Sequence, residues 1–184
     1  MEANEAQIAL DQIRQATEQT RRAVARSGIG WIFIIWGCVW FVGFLGSQIL
    51  SGARAGVLWG VLDILGGVAT AMVGIRTGRR VRSANAWRVP GLWLALMAYV
   101  GLLLWIAGPM PADRLILFIT VGISFGFVFL GLWLAPALLW TGMALTALAI
   151  LGWLVMPAYL GYWLALLGGG GLIGLGIYIL RAWK

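Results

Sequence analysis

Long apolar segments alternate with short polar ones along most of the chain. A helix needs about 20 apolar residues to cross roughly 30 Å of hydrocarbon. Pro136 divides the uncharged stretch from Leu115 to Met156, which is too long for a single span. The pattern predicts an all-α fold, a polytopic transmembrane bundle of six helices. Their predicted bounds are 30–48, 56–75, 90–108, 115–134, 137–156 and 160–180, within a transmembrane domain of residues 29–184.

The first 28 residues form a separate polar segment that precedes this domain. They predict a cytoplasmic amphipathic helix over residues 4–26, with Asn4 and Gln7 as a capping box. Leu10, Ile13 and Val24 contribute to a narrow apolar stripe along it. Two interpretations of this helix stay open. Either it lies on the inner membrane surface, or it docks on a cytoplasmic protein or on another protomer.

The basic residues predict how the chain is oriented. If both termini are cytoplasmic, only Arg54 and Arg114 among the 13 Lys and Arg residues lie outside, as the positive-inside rule requires. The net charge of +7 then needs no nucleic-acid partner. We expect the protein in the bacterial inner (plasma) membrane, with basic side chains contacting anionic lipid headgroups or a partner protein. Those side chains are Arg21, Arg22, Arg26, Arg76, Arg79, Arg80, Arg82 and Arg88.

The amino-acid composition excludes several classes of protein and of chemical site. The chain is 62% hydrophobic and 10% charged, which excludes an ordinary soluble domain. It has no histidine and one cysteine, so a His-ligated haem, a tetrahedral zinc site and a Ser-His-Asp triad are excluded. We therefore expect no cofactor, no metal and no enzymatic activity. Gly122-Ile-Ser124-Phe-Gly126 matches a hydrolase motif, but in mid-helix we interpret Gly122 and Gly126 as a helix-packing pair.

The second span carries the one carboxylate inside a predicted span, Asp63. Five glycines lie within about 60° of it on the same helix face. Small residues at such spacings let helix backbones approach closely in lipid, so we expect Asp63 to point into a helix contact. Its role stays open between a hydrogen-bond donor that joins helices and a proton or cation site. The five glycines are Gly52, Gly56, Gly60, Gly67 and Gly74.

Other spans place polar or small residues at similar depth and define a candidate midplane polar site. Its residues are Asp63, Thr70, Tyr99, Ser124, Gly168, Gly169, Gly170 and Gly171. The glycine run has two interpretations. It is either an unwound segment whose carbonyls line a site, or a flat surface for a crossing helix such as the glycine face of span 2. Residues 91–102 and 161–172 are also similar, which either indicates an inverted repeat or arises by chance.

The arginine-rich N-terminal segment, the spans rich in tryptophan and glycine, and the arginine loop from Arg76 to Arg88 define the layout of the whole chain. This layout resembles small six-span bacterial inner-membrane proteins of unassigned function. The resemblance implies no activity and transfers no functional residue.

Two functions follow as hypotheses. The first is a non-enzymatic regulatory or scaffolding module that acts through helix 4–26 and the arginine loop. The second is a small oligomeric transporter or channel for protons, cations or a small solute that uses Asp63. A homo-oligomer fits both.

Overall fold

A computed structural model describes residues 28–50, 52–78, 87–133 and 136–182, together with Gln7. This part of the chain is helical without a strand, and it contains six helices long and apolar enough to cross a membrane. The predicted all-α class and the six membrane-length helices are confirmed. The predicted amphipathic helix 4–26, with Arg21, Arg22 and Arg26, lies outside the described residues. So do Arg79, Arg80 and Arg82 of the arginine loop.

Five of the six spans are single helices. They are α1 (Ile29–Ile49), α2 (Ala53–Gly78), α3 (Arg88–Ala107), α4 (Ala112–Trp133) and α5 (Pro136–Val155). The sixth span is composite: a 3-10 turn (Pro157–Tyr159), the short α6 (Leu160–Trp163), a π-helical segment (Leu164–Gly169) and α7 (Gly170–Ala182).

Glycine and proline set several of the helix boundaries. Gly52 and Gly108 have φ values of 58° and 71°, a left-handed conformation that residues with a Cβ rarely adopt. The Gly108 N–H donates to the Leu104 carbonyl and ends α3. Pro136 is the first residue of α5, where its missing N–H costs no helical hydrogen bond. Gly52, predicted to be part of a packing face, therefore lies in the turn before α2.

Helix α1 is the centre of the bundle. It packs against α2 on one side and against the sixth span on the other. Its side chains Phe33, Trp40 and Phe44 are almost fully buried. Phe33 also stacks on Phe127 of α4, with ring centroids 6.0 Å apart. These three aromatic side chains of α1 thus belong to the core.

A close helix contact joins α1 to the sixth span through two antiparallel glycine pairs. A Cβ added to Gly37 would lie 2.8 Å from the Gly169 carbonyl oxygen, and one on Gly169 would lie 2.9 Å from the Gly37 carbonyl oxygen. One added to Gly176 would lie 2.6 Å from the Gly30 carbonyl oxygen. The two pairs are seven residues apart on each helix, about two turns. No residue with a side chain fits these four positions without moving a backbone.

A second close contact forms the hairpin of α4 and α5. A Cβ on Gly142 would lie 2.6 Å from the Ser124 carbonyl oxygen and 2.7 Å from the Val128 nitrogen. By contrast, α2 packs chiefly on α1 and α3 on α4, and most residues of both helices are exposed. The bundle thus has a tight centre, made of α1, α4, α5 and the sixth span, and two peripheral helices.

The glycine pairing predicts which substitutions the bundle tolerates. Gly37→Ala and Gly169→Ala should each lower the free energy of unfolding by about 1–3 kcal/mol, because the new methyl group meets backbone atoms that cannot rotate away. Gly174→Ala is the matched control: it lies on the same span, is exposed, and has no atom within 4 Å of its Cβ position.

Denaturant titration of the three variants in the same detergent measures the differences in their free energy of unfolding. Alanine at Gly174 should be neutral or stabilising by up to about 1 kcal/mol through helix propensity. Equal effects at all three positions would contradict the pairing.

Candidate functional site

Two tryptophan hydrogen bonds fix the rotation of α2 about its own axis. Trp59 Nε1 donates to Ser47 Oγ on α1 at 2.8 Å. Trp36 Nε1 on α1 donates to Thr70 Oγ1 on α2 at 3.1 Å. Thr70, predicted as part of the midplane site, thus contributes to the α1–α2 contact.

The face of α2 that carries Asp63 is consequently turned away from the core. At about 100° per residue, Thr70 and Trp59 lie about 20° and 40° to one side of Asp63, whereas the glycines of this face lie about 20–60° to its other side. Asp63 is exposed, and a Cβ added to Gly56, Gly60, Gly67 or Gly74 would meet no atom within 4 Å. The predicted contact between this face and another helix is therefore not made within the described part of the chain. We name Gly56, Gly60, Asp63, Gly67 and Gly74 the glycine face.

Gly168 and Gly169 of the glycine run pack on α1, so a crossing helix does meet the run, but this helix is not span 2. A Cβ on Gly169 would lie 2.7 Å from the Phe41 nitrogen, and one on Gly168 would lie 3.5 Å from the Trp40 ring. The run is also not unwound. It passes from the π-helical segment into α7, with Gly170 and Gly171 as the first α-helical residues. Glycines allow this close approach because they have no side chain to displace.

Ser124 is fully buried on α4, together with Thr120 one turn earlier. Neither hydroxyl has a hydrogen-bond partner among the described residues. Depth in the predicted span indicates Ser124 but not Thr120, although their spacing of four residues places both on one helix face. A buried hydroxyl without a partner costs about 1–3 kcal/mol, which makes this pair an expensive feature of the core.

The candidate midplane residues occupy separate places. Tyr99 is 67% exposed on α3 and lines a groove between α3 and α4. Gly168 and Gly171 line a smaller cavity beside α5, and Asp63 lines neither space. Gly122 and Gly126 face α3: a Cβ on Gly122 would lie 2.9 Å from Val100 Cγ2, and one on Gly126 2.6 Å from Leu96 Cδ2.

Charged and metal-binding chemistry is sparse in the described part of the chain. Arg76 and Arg88, on either side of the arginine loop, are exposed. No group of three His, Cys, Asp or Glu side chains there could hold a metal ion. Cys38 is a free, exposed cysteine.

A polar contact that sequence analysis missed joins α4 to α5. Trp153 Nε1 donates to Asp113 Oδ2 at 2.9 Å, across 40 residues of sequence. Both residues lie near the ends of adjacent antiparallel helices, and this position in the sequence could have predicted their contact. The bond fastens the first turn of α4 to the last turns of α5.

Comparison with known proteins gives no family to which the chain could be assigned. No model of a protein family matches it, and no curated protein or solved structure is significantly similar to it. The function must therefore be argued from the geometry above.

The unpartnered hydroxyls give a second prediction. Thr120→Val should raise the free energy of unfolding by about 1–3 kcal/mol, because it removes a buried unsatisfied group and keeps the shape. Thr146→Val is the control, since Thr146 Oγ1 donates to the Gly142 carbonyl at 3.0 Å. The free energy of unfolding of that variant should fall by about 0.5–1.5 kcal/mol.

Denaturant titration in detergent checks both variants. Destabilisation by Thr120→Val comparable to that by Thr146→Val would contradict the prediction and would show that the Thr120 hydroxyl has a partner in the membrane.

Proposed function

We propose that the protein is a non-enzymatic inner-membrane module, regulatory or scaffolding in role, that assembles with a second copy of itself through the glycine face of α2. The observation that carries this proposal is the position of Asp63. It is exposed on the surface of the chain, near the middle of a 26-residue apolar helix.

A carboxyl group at this depth needs a protein partner. Exposure of an aspartate to hydrocarbon at the centre of a span costs about 2.5–3.5 kcal/mol on insertion scales. The described part of the chain leaves Asp63 exposed, because the tryptophan hydrogen bonds turn α2 so that other residues face α1. Docking of another helix removes this cost.

A second copy of the chain suits this face. Symmetric pairing brings the same surface from each copy together, so the face must be complementary to itself. Glycine faces meet that condition, because two of them allow close backbone approach. The two Asp63 side chains then lie near the symmetry axis, where a protonated carboxyl can donate to the other.

The cytoplasmic parts complete the proposal. We expect both termini on the cytoplasmic side, with helix 4–26 and the arginine loop from Arg76 to Arg88 available to protein partners or anionic headgroups. Pairing through α2 would place two copies of the loop that follows it side by side. This doubles the number of contacts that one assembly can make with a partner or a lipid surface.

Energy transfer between labelled copies in liposomes tests the pairing. Gly60→Leu should weaken association at least about tenfold, since a bulky side chain separates the two backbones. Gly174→Leu is the matched control: it adds the same side chain at another open position. Asp63→Asn should leave association within about threefold, because an amide also donates and accepts hydrogen bonds. Unchanged association of the Gly60 variant would contradict the proposal.

The alternative function is transport of protons, cations or a small solute through Asp63. It has less support, because Asp63 lines neither the groove beside α3 nor the cavity beside α5. The other candidate polar residues are dispersed over several helices. One pair of carboxyls at a single depth gives no path from one side of the membrane to the other.

Flux measurements separate the two functions. Liposomes that contain the native protein should pass protons and monovalent cations no faster than empty liposomes under an imposed gradient, and Asp63→Asn should be indistinguishable from native. Flux that the native protein supports and Asp63→Asn abolishes, with the variant still folded, would replace the module by the transporter.

A further inference from the structure

A groove of about 1210 Å³ lies between α3 and α4, with α5 at its back. This volume exceeds the roughly 300–1,000 Å³ of ordinary small-molecule sites. The groove lies beside α3, one of the two most exposed helices, and no residue of α2 lines it. It is separate from the proposed pairing surface.

The helices that form the groove are closest at its inner end. There Gly122 faces Val100 and Gly126 faces Leu96. The groove extends from this contact to the α3–α4 connection, where Pro109 and Pro111 line it. From Phe125 to Arg114 the α4 wall covers 12 residues, roughly 16 Å of helix. One leaflet of the hydrocarbon core is roughly 15 Å thick, so the groove spans one leaflet.

Charge is concentrated at one end of this apolar space. Among the described residues that line it, Arg114 is the one charged side chain, and it is exposed in the first turn of α4. The neighbouring carboxylate of Asp113 accepts the indole N–H of Trp153 and is not part of the lining. The groove thus presents a cation at headgroup depth and hydrocarbon walls below it.

We infer that this groove binds an anionic phospholipid, with an acyl chain between α3 and α4 and its phosphate on Arg114. Guanidinium binds phosphate through paired hydrogen bonds, which a zwitterionic headgroup satisfies less well because its own ammonium group competes. A free phosphate ion would leave the apolar length of the groove unfilled. The site is distinct from the arginine loop. That loop precedes α3, whereas Arg114 lies in the first turn of α4, beyond the other end of α3.

Native mass spectrometry of the delipidated protein tests this inference, with phosphatidylglycerol and phosphatidylcholine of identical chains as probes. Native protein should retain phosphatidylglycerol about fivefold better, the contribution of about one arginine at a membrane surface. Arg114→Gln should abolish that preference, whereas Arg54→Gln, at the other exposed arginine of the same predicted side, should keep it. Lipid retention is compared between proteins whose melting temperatures are equal to that of the native protein.

A second pair of variants tests the acyl-chain part. Ala95 lines the groove, and Ala95→Phe should reduce retention of both lipids. Ala98→Phe, an exposed position on the same helix outside the lining, should not. The inference is overturned if Arg114→Gln retains the preference, if both lipids bind native protein equally, if Ala95→Phe and Ala98→Phe behave alike, or if inorganic phosphate displaces phosphatidylglycerol.

Discussion

The close contact between α1 and the sixth span determines the arrangement of the bundle. Lipid offers no hydrophobic driving force between helices, so association in a membrane depends on close packing. Gly30 opposite Gly176 and Gly37 opposite Gly169 bring the two backbones together without an intervening side chain. The aromatic core of α1 then fills the space toward α4 and α5. Helices α2 and α3 attach to the outside of this centre.

The proposed pairing surface and the proposed lipid groove both involve the peripheral helices. Indole hydrogen bonds fasten α2 to α1, and these bonds direct Asp63 and its glycines outward. On the other side of the bundle, α3 contacts α4 at Gly122 and Gly126 and leaves a groove beyond that contact. A rigid centre with two differently exposed helices suits a protein that docks other molecules in the membrane.

Span length and proline position predicted the helices well, because crossing hydrocarbon imposes a fixed length on any helix. The partners of each helix could not be predicted in the same way. Glycines at seven-residue spacing occur in α1, in α2 and in the sixth span, and spacing alone does not say which helices meet. The aromatic side chains beside the α1 glycines determine that α1 meets the sixth span, because they fill the core around that span.

The candidate site shows the same limit. Depth in the membrane selected Tyr99 and Ser124 together, yet one is exposed on α3 and the other is buried in α4. Depth gives no information about direction around a helix. The similar segments 91–102 and 161–172 also differ in structure. The first is regular α-helix at the periphery, and the second passes through the π-helical segment beside α1.

Cysteine cross-linking along α2, in a Cys38→Ser background and in native membranes, tests the account most directly. It reports on the rotation of α2 and on its partner at once. Cysteines at positions 56, 60 and 67 should form disulfides between two copies, whereas cysteines at 59, 66 and 70, which face α1, should not. Cross-links strongest at the second set, or absent from the first, would contradict the account.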